Sequence, residues 1–316
     1  MILWRHTARE ILIRKGEKGI YILKPILDYN WKKCGEADQK RIASQTPTPG
    51  IEQIVDIPYI DDGEKGHLLD IYYPEGTKTP LPVIIDIHGG GWMYGYKEIN
   101  KYFCLKLASK GFCVASINYR LAGDVLFDDQ IRDIFAALCW LSQNLKNYPA
   151  DTKNVFLAGD SAGGHFACVT AAVNLSAELQ GDFGVSYTGL DFKGIAAISP
   201  AVQLTGFNPV MNVNLPVLLG KNCRKSKYYK YMDVKNIASE NLPPFYILTS
   251  TGDFIRSHSY KLADILKSHG VPYRMHDFED KLDGKPLNHV FSVVNPYSEP
   301  GERANTEITD FFKSLI

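Results

Sequence analysis

The stretch "GDSAGGHFA", Gly159 to Ala167, sets one alcohol among small residues, directly after the apolar run "NVFLAG" and at the start of a helical pattern. In a G-x-S-x-G turn between strand and helix, bulky neighbours would clash and the serine hydroxyl is held exposed. Ser161 is therefore a candidate nucleophile, and the helix beside it offers free N–H groups and a positive dipole end to a developing oxyanion. The competing reading is a helix-capping serine packed among small residues.

Two further features bear on that choice. "HGGGW", His88 to Trp92, ends an earlier apolar run with glycine backbone whose N–H groups can face a ligand oxygen from the opposite side. A nucleophilic serine also needs a base, and an acid to orient that base; in a strand–turn–helix setting of this kind they follow in the order Ser, Asp or Glu, His. Asp253 in "TGDFIRSH" and His289 in "LNHVF" keep that order. His276 lies inside the strand-like "YRMHDF", and His165 follows Ser161 by one helical turn, so both read as packing or surface residues. Asp280 and Asp283 read as solvated carboxylates. The group His276, Asp277, Glu279 and Asp280 matches no metal-ligand spacing.

The elements that must position these residues alternate. "PVIIDI", "FCVASINY", "NVFLAG", "GIAAISP" and "FYILTST" read as buried strands, and amphipathic stretches such as "DDQIRDIFAALCWLSQNL" and "SYKLADILKSHG" read as helices between them. Crossovers of this kind predict an α/β fold with a mainly parallel central sheet flanked by helices, and ligands in such sheets bind beyond the carboxyl ends of the strands. "IEQIVDIPYI" and "HLLDIYYP" meet at "DDGEKG" as a hairpin. Residues 1–50 have helix-like apolar spacing and close at "QTPTPG", predicting an N-terminal helical extension that forms part of a cap. Residues 51–316 are the expected catalytic domain, with a cap insertion at about 203–240 that carries "KYYKY".

Taken together, "HGGGW", "NYRLA", "GDSAGG", "TGDFIRS" and "LNHVF" resemble the hormone-sensitive-lipase-like branch of the α/β-hydrolases, which includes carboxylesterases and carbohydrate acetylesterases. The resemblance spans roughly residues 55 to 316. It implies the α/β-hydrolase fold, Ser161 as nucleophile, His289 as base then acid, Asp253 as its orienting partner, and Gly90, Gly91 and Ala162 as oxyanion donors, with Gly89 able to replace one of the glycines. It also implies ester hydrolysis through an acyl-enzyme without metal or organic cofactor. The chain departs from the pattern in "GDVLFDD" after "NYRLA" and in Ser257, where a second acid is common. An aryl formamidase and a non-catalytic receptor on the same fold stay open as alternatives.

Composition sets the surroundings. Thirty-five basic residues balance thirty-five acidic ones, which favours neither nucleic acid nor an anionic membrane surface, and a small-molecule ester is the expected partner. Homo-oligomerisation is left open. Six cysteines without a C-x-x-C pair point to a reducing, cytoplasmic compartment. Arg5, Arg9, Glu10 and Arg14 interrupt the N-terminal apolar residues before a signal peptide can build, and no run is long enough to span a membrane. Trp92, Tyr94 and Tyr96 after the glycines, with the tyrosines of "KYYKY", predict an aromatic, polar mouth suited to a short acyl group, acetyl first, on a sugar or small aromatic alcohol. Trp92 and Tyr94 are the expected substrate contacts; packing of the cap onto the body is the competing role for these rings.

Overall fold

A computed structural model describes residues 19–205 and 214–316. Among them eight strands form one sheet: β1 (Ile51–Pro58), β2 (Leu68–Pro74), β3 (Leu81–Ile87), β4 (Cys113–Ile117), β5 (Ala150–Asp160), β6 (Phe192–Ile198), β7 (Phe245–Ser250) and β8 (Tyr273–Phe278). Their order is β1-β2-β4-β3-β5-β6-β7-β8. The hairpin β1–β2 and the pair β2–β4 are antiparallel, and every pair from β4–β3 to β7–β8 is parallel. The central strands are buried on both faces, so their sequences run apolar without alternation.

Helices cover both faces. On one side α2 (Lys101–Ser109) and α8 (Glu299–Lys313) pack Phe103, Leu107 and Phe312 onto the sheet; on the other α3 (Phe127–Asn144), α4 (Ala162–Leu175) and α7 (Arg256–Ser268) bring Ile131, Phe166 and Leu262. The last helix shows how sequence sets such an element. Ser298 caps it by accepting from the Gly301 N–H, Pro300 fits the first turn, and Phe312, fully buried, stacks on Phe156 of β5 at 4.4 Å. Burying one such ring contributes about 1.5–3 kcal/mol.

Outside this body lies α1 (Gly19–Ser44), which ends shortly before β1, while residues 1–18 of the expected extension lie outside the described residues. Of the expected insertion, residues 206–213 also lie outside them. The rest is short: α6 (Leu215–Leu219), then short 3-10 segments at Cys223–Lys225, Lys227–Met232 and Val234–Asn236. The tyrosines of "KYYKY" turn to the body. Tyr231 is fully buried and donates to Asp182 Oδ2 at 2.7 Å, and Tyr228 stacks on Phe183 at 5.1 Å, in the short helix α5 (Ala177–Phe183). Of the two roles the sequence offered these two rings, packing is the one the fold gives them. No described helix is long and apolar enough to cross a membrane.

Candidate active site

The loops after β3, β5, β7 and β8 carry the predicted residues to one end of the sheet. Ser161 separates the last residue of β5 from the first of α4, with φ 53° and ψ −112°, a left-handed position for a side chain other than glycine. A methyl group on Gly159 would lie 2.3 Å from the Gly163 carbonyl oxygen, and one on Gly163 would lie 1.9 Å from that of Ile87. The turn closes only because both are glycine. The Ser161 N–H donates to Ile198 O at 2.9 Å, and its own carbonyl accepts from Ala201 N–H at 3.0 Å. Its side chain makes no capping hydrogen bond to α4, so the helix-cap reading finds no support.

His289 Nδ1 donates to Asp253 Oδ1 at 2.7 Å. The Asp253 side chain is fully buried and also accepts from Thr249 Oγ1 at 3.0 Å and the Ile255 N–H at 2.9 Å. Burial alone would raise this carboxyl; the His289 hydrogen bond and charge, with the Ile255 N–H and Ser199, hold it below the usual carboxylate range. An ionised acceptor at Nδ1 leaves His289 Nε2 free to take a proton when the ring is neutral. The two loops are joined: Gly252 pairs with Asn288 in an isolated bridge, and Ser250 Oγ donates to Leu287 O at 2.8 Å. Val290, a β-branched residue at φ 51°, follows His289 directly and donates its N–H to Ser199 Oγ at 3.3 Å. The Phe254 ring, half-exposed, lies 4.5 Å from the His289 ring.

The loop after β3 turns tightly at Gly90, φ 112°, where a methyl group would lie 1.9 Å from the Tyr94 carbonyl oxygen. Among the described residues the N–H groups of Gly90 and Gly91 donate to no protein acceptor, whereas the Gly89 N–H is held by Asp160 Oδ1 at 2.9 Å. Gly89 is thereby removed as a stand-in donor. His88 is buried and stacked on Tyr119 at 4.4 Å, and its Nδ1 donates to Gly89 O at 2.8 Å. Burial lowers its pKa to about 4 against the pull of that carbonyl, so the ring is a neutral brace at pH 7.

Residues 69–266 match the BD-FAE family. The chain belongs to this family. It also lies within the hormone-sensitive-lipase-like α/β-hydrolases. It is 32% identical to carboxylesterase NlhH of Mycobacterium tuberculosis, over 71% of this chain and 69% of the relative, and 26% identical to the versiconal hemiacetal acetate esterase of Dothistroma septosporum, over 71% and 70%. Among solved structures it is similar to esterase B of Lactobacillus rhamnosis, with a TM-score of 0.87 and 28% identity over 95% of this chain and 96% of that one. Esterase B has also been solved inhibited by a C4-C4 SN3 tributyrin phosphonate.

The remaining predicted residues of this BD-FAE chain divide. Trp92 does not line a mouth: φ 67° turns its ring inward, it is 2% exposed, and its indole N–H donates to His165 Nδ1 at 3.2 Å. Because an indole can only donate, His165 Nδ1 accepts and Nε2 carries the proton, given to Tyr231 O at 2.8 Å. One neutral histidine thus ties the glycine loop to the inserted segment. Burial lowers its pKa to about 4. Tyr94 stays half-buried at the edge of the site, donating to Asp38 Oδ2 at 2.9 Å. His276 donates from Nδ1 to Glu307 Oε2 at 2.7 Å, and Asp277 and Asp280 are paired with Arg256 and Arg303.

Sequence reasoning missed a buried polar network behind the loop. Asn100 Nδ2 donates to Asp160 Oδ1 at 2.9 Å and to Asp86 Oδ2 at 3.1 Å, and Ser116 Oγ donates to Asp86 Oδ2 at 3.1 Å. Burial, with the nearby Asp160 charge, raises the Asp86 carboxyl to about 7. An aspartate in the middle of "PVIIDI" was the available sign, since a charge in a doubly buried strand needs a partner.

Proposed function

We propose that this carboxylic ester hydrolase works by acyl transfer to Ser161. His289 takes the hydroxyl proton through Nε2 as the oxygen attacks the ester carbonyl; Asp253 holds the imidazole in the required tautomer and stabilises it once charged. The N–H groups of Gly90, Gly91 and Ala162 receive the oxyanion, the alcohol leaves with the proton from His289, and water hydrolyses the acyl-enzyme by the same steps in reverse. The observation that carries this reading is the 2.7 Å pairing of His289 with a fully buried Asp253, at the sheet end where Ser161 sits on a strained, glycine-flanked turn.

The favoured substrate is a short acyl group, acetyl first, on a sugar or small aromatic alcohol. Two relatives support the short acyl side: one is named an acetate esterase, and another carries a tributyrin phosphonate. Phe254, half-exposed beside His289, offers an aromatic face suited to a sugar or aryl group, and Tyr94, its ring stacked on Trp31, stands beside the glycine loop as the second proposed contact. The described parts of the extension and of the insertion, α1 and residues 214–240, would cap this end, and the six unpaired cysteines accord with a reducing, cytoplasmic setting. The test is turnover of p-nitrophenyl esters from acetate to decanoate beside an acetylated sugar. Each methylene beyond a closed acyl pocket should lower kcat/KM, since overpacking costs about 1–3 kcal/mol. Faster turnover of octanoate than acetate would contradict the short-acyl reading.

A further inference from the structure

Residues 198–201, where β6 ends, meet the carriers of all three residues of the proposed acyl-transfer machinery. The Ile198 carbonyl accepts from the Ser161 N–H at 2.9 Å and the Ala201 N–H donates to the Ser161 carbonyl at 3.0 Å, so the nucleophile's turn is bracketed from both sides. Pro200 packs against the first turn of α4, where a methyl group on Gly164 would lie 2.8 Å from its Cβ. Between these anchors stands Ser199. Its hydroxyl accepts at 3.3 Å from the N–H of Val290, the residue after His289, and it is also a hydrogen-bond partner of the Asp253 carboxyl. Its own N–H donates to Leu248 O at 2.6 Å, on β7, the strand that leads to Asp253.

The backbone at this position argues that the hydroxyl matters. Ser199 has φ 46°, a left-handed value that a residue other than glycine adopts only at a cost in energy. Glycine would serve the chain path better. What serine adds is one buried oxygen and its proton, and both are engaged: the oxygen accepts from the His289 loop, and the carboxylate of Asp253 can only accept. Thr249 and the Ile255 N–H hold that carboxylate from its own strand and loop, whereas Ser199 reaches it from β6, the strand whose end also holds Ser161. The Asp253–His289 hydrogen bond aligns the pair internally and says nothing of its distance from the nucleophile. Ser199 supplies that link.

We propose that Ser199 is a positioning residue that keeps the Asp253–His289 pair in place relative to Ser161 through both halves of the reaction. It acts through the acid and through the backbone that follows His289, not through substrate. Misplacing reacting groups by about 1 Å is enough to cost on the order of 10²-fold in rate. This inference rests on the acyl-transfer reading of Ser161 given above.

The experiment compares kcat and KM for p-nitrophenyl acetate in the wild type, Ser199→Ala and Ser199→Gly, with a far-UV circular dichroism spectrum of each. Alanine removes only the oxygen; glycine removes it and also takes φ 46° without strain, so it serves should the alanine variant fail to fold. Because His289 works in acylation and in deacylation, kcat should fall roughly 10- to 100-fold with KM within about twofold of wild type, the scale of one hydrogen bond to a charged group. A kcat within about threefold of wild type in a folded variant would mean that the hydroxyl only fills space. A fall that vanishes once rates are divided by the fraction of chains labelled at completion by a p-nitrophenyl alkylphosphonate would mean that it serves folding alone. Failure of both variants to fold would mean the same. Each of these outcomes overturns the inference. Retained activity in Ser161→Ala would instead sink the acyl-transfer reading itself, and the inference with it.

Discussion

Asp253 is the residue on which the proposed base depends, because its carboxylate sets which nitrogen of His289 carries the proton. Asp253→Asn keeps the shape but presents an amide that can donate to Nδ1 and stabilise the wrong tautomer. The expected outcome is a fall of about 10⁴-fold in kcat with an unchanged far-UV circular dichroism spectrum. A fall below tenfold would remove Asp253 from the mechanism. At this scale the sequence was uneven in what it disclosed. The places of Ser161 and Asp253 were legible because each follows an apolar strand; His289 lies beyond the polar β8 and was singled out by the restrictive order Ser, Asp, His along the chain. The Trp92 ring was not, since only its positive φ decides whether it faces the mouth or the core, and a "GGGW" string does not carry that angle. Gly89 is similar: its N–H looks free in sequence and is held by Asp160 in space.

At the scale of elements, β3 and β5 lie side by side and bring Asp86 and Asp160 together beneath the glycine loop, joined through Asn100. With Asp86 raised to about 7 from its ordinary 3.8, the folded protein binds a proton that the unfolded chain has released across roughly pH 4 to 7. The unfolded state then binds fewer protons than the native state, so this group makes stability fall as pH rises through that window and level off above it. Asp86→Asn removes the titration. Urea unfolding of both proteins at pH 5 and pH 8 should show the wild type losing stability relative to the variant at the higher pH; an identical difference at the two values would refute it. The alternating strands and helices were readable from period and run length. The partner of Asp86 was not, because Asn100 ends a short 3-10 turn, Lys97–Asn100, whose position against β3 is set by tertiary contact alone. Nor was the contact of Ser199 with Val290, 91 positions apart in sequence.

Across the whole molecule, Lys97 fastens the antiparallel hairpin to the segment beyond the glycine loop. It is 1% exposed, and its ammonium pairs with Asp56 at 2.7 Å, Asp70 at 2.9 Å and Glu98 at 2.5 Å, while its N–H donates to Asn118 Oδ1. Burial opposes its charge, yet these carboxylates hold the pKa above the usual lysine value. Lys97→Ala would leave the buried Asp70 charge without its cation, with only the Tyr72 hydroxyl and the Asp56 N–H as donors, and should cost about 3–5 kcal/mol, read as a lower urea midpoint. A loss under about 1 kcal/mol would mean the β2–β4 ladder and the apolar contacts hold the hairpin without the ion pairs. The architecture as a whole was legible because a parallel sheet dictates continuous apolar strands and intervening helices, whereas a buried lysine is invisible in a sequence where most lysines are exposed. The central claim, that chemistry passes through Ser161, is tested most directly by intact-mass and peptide mapping after treatment with a p-nitrophenyl alkylphosphonate. One phosphonyl group per chain should appear on Ser161 and none on the Ser161→Ala variant; a label on another residue, or none on active wild-type protein, would contradict the account.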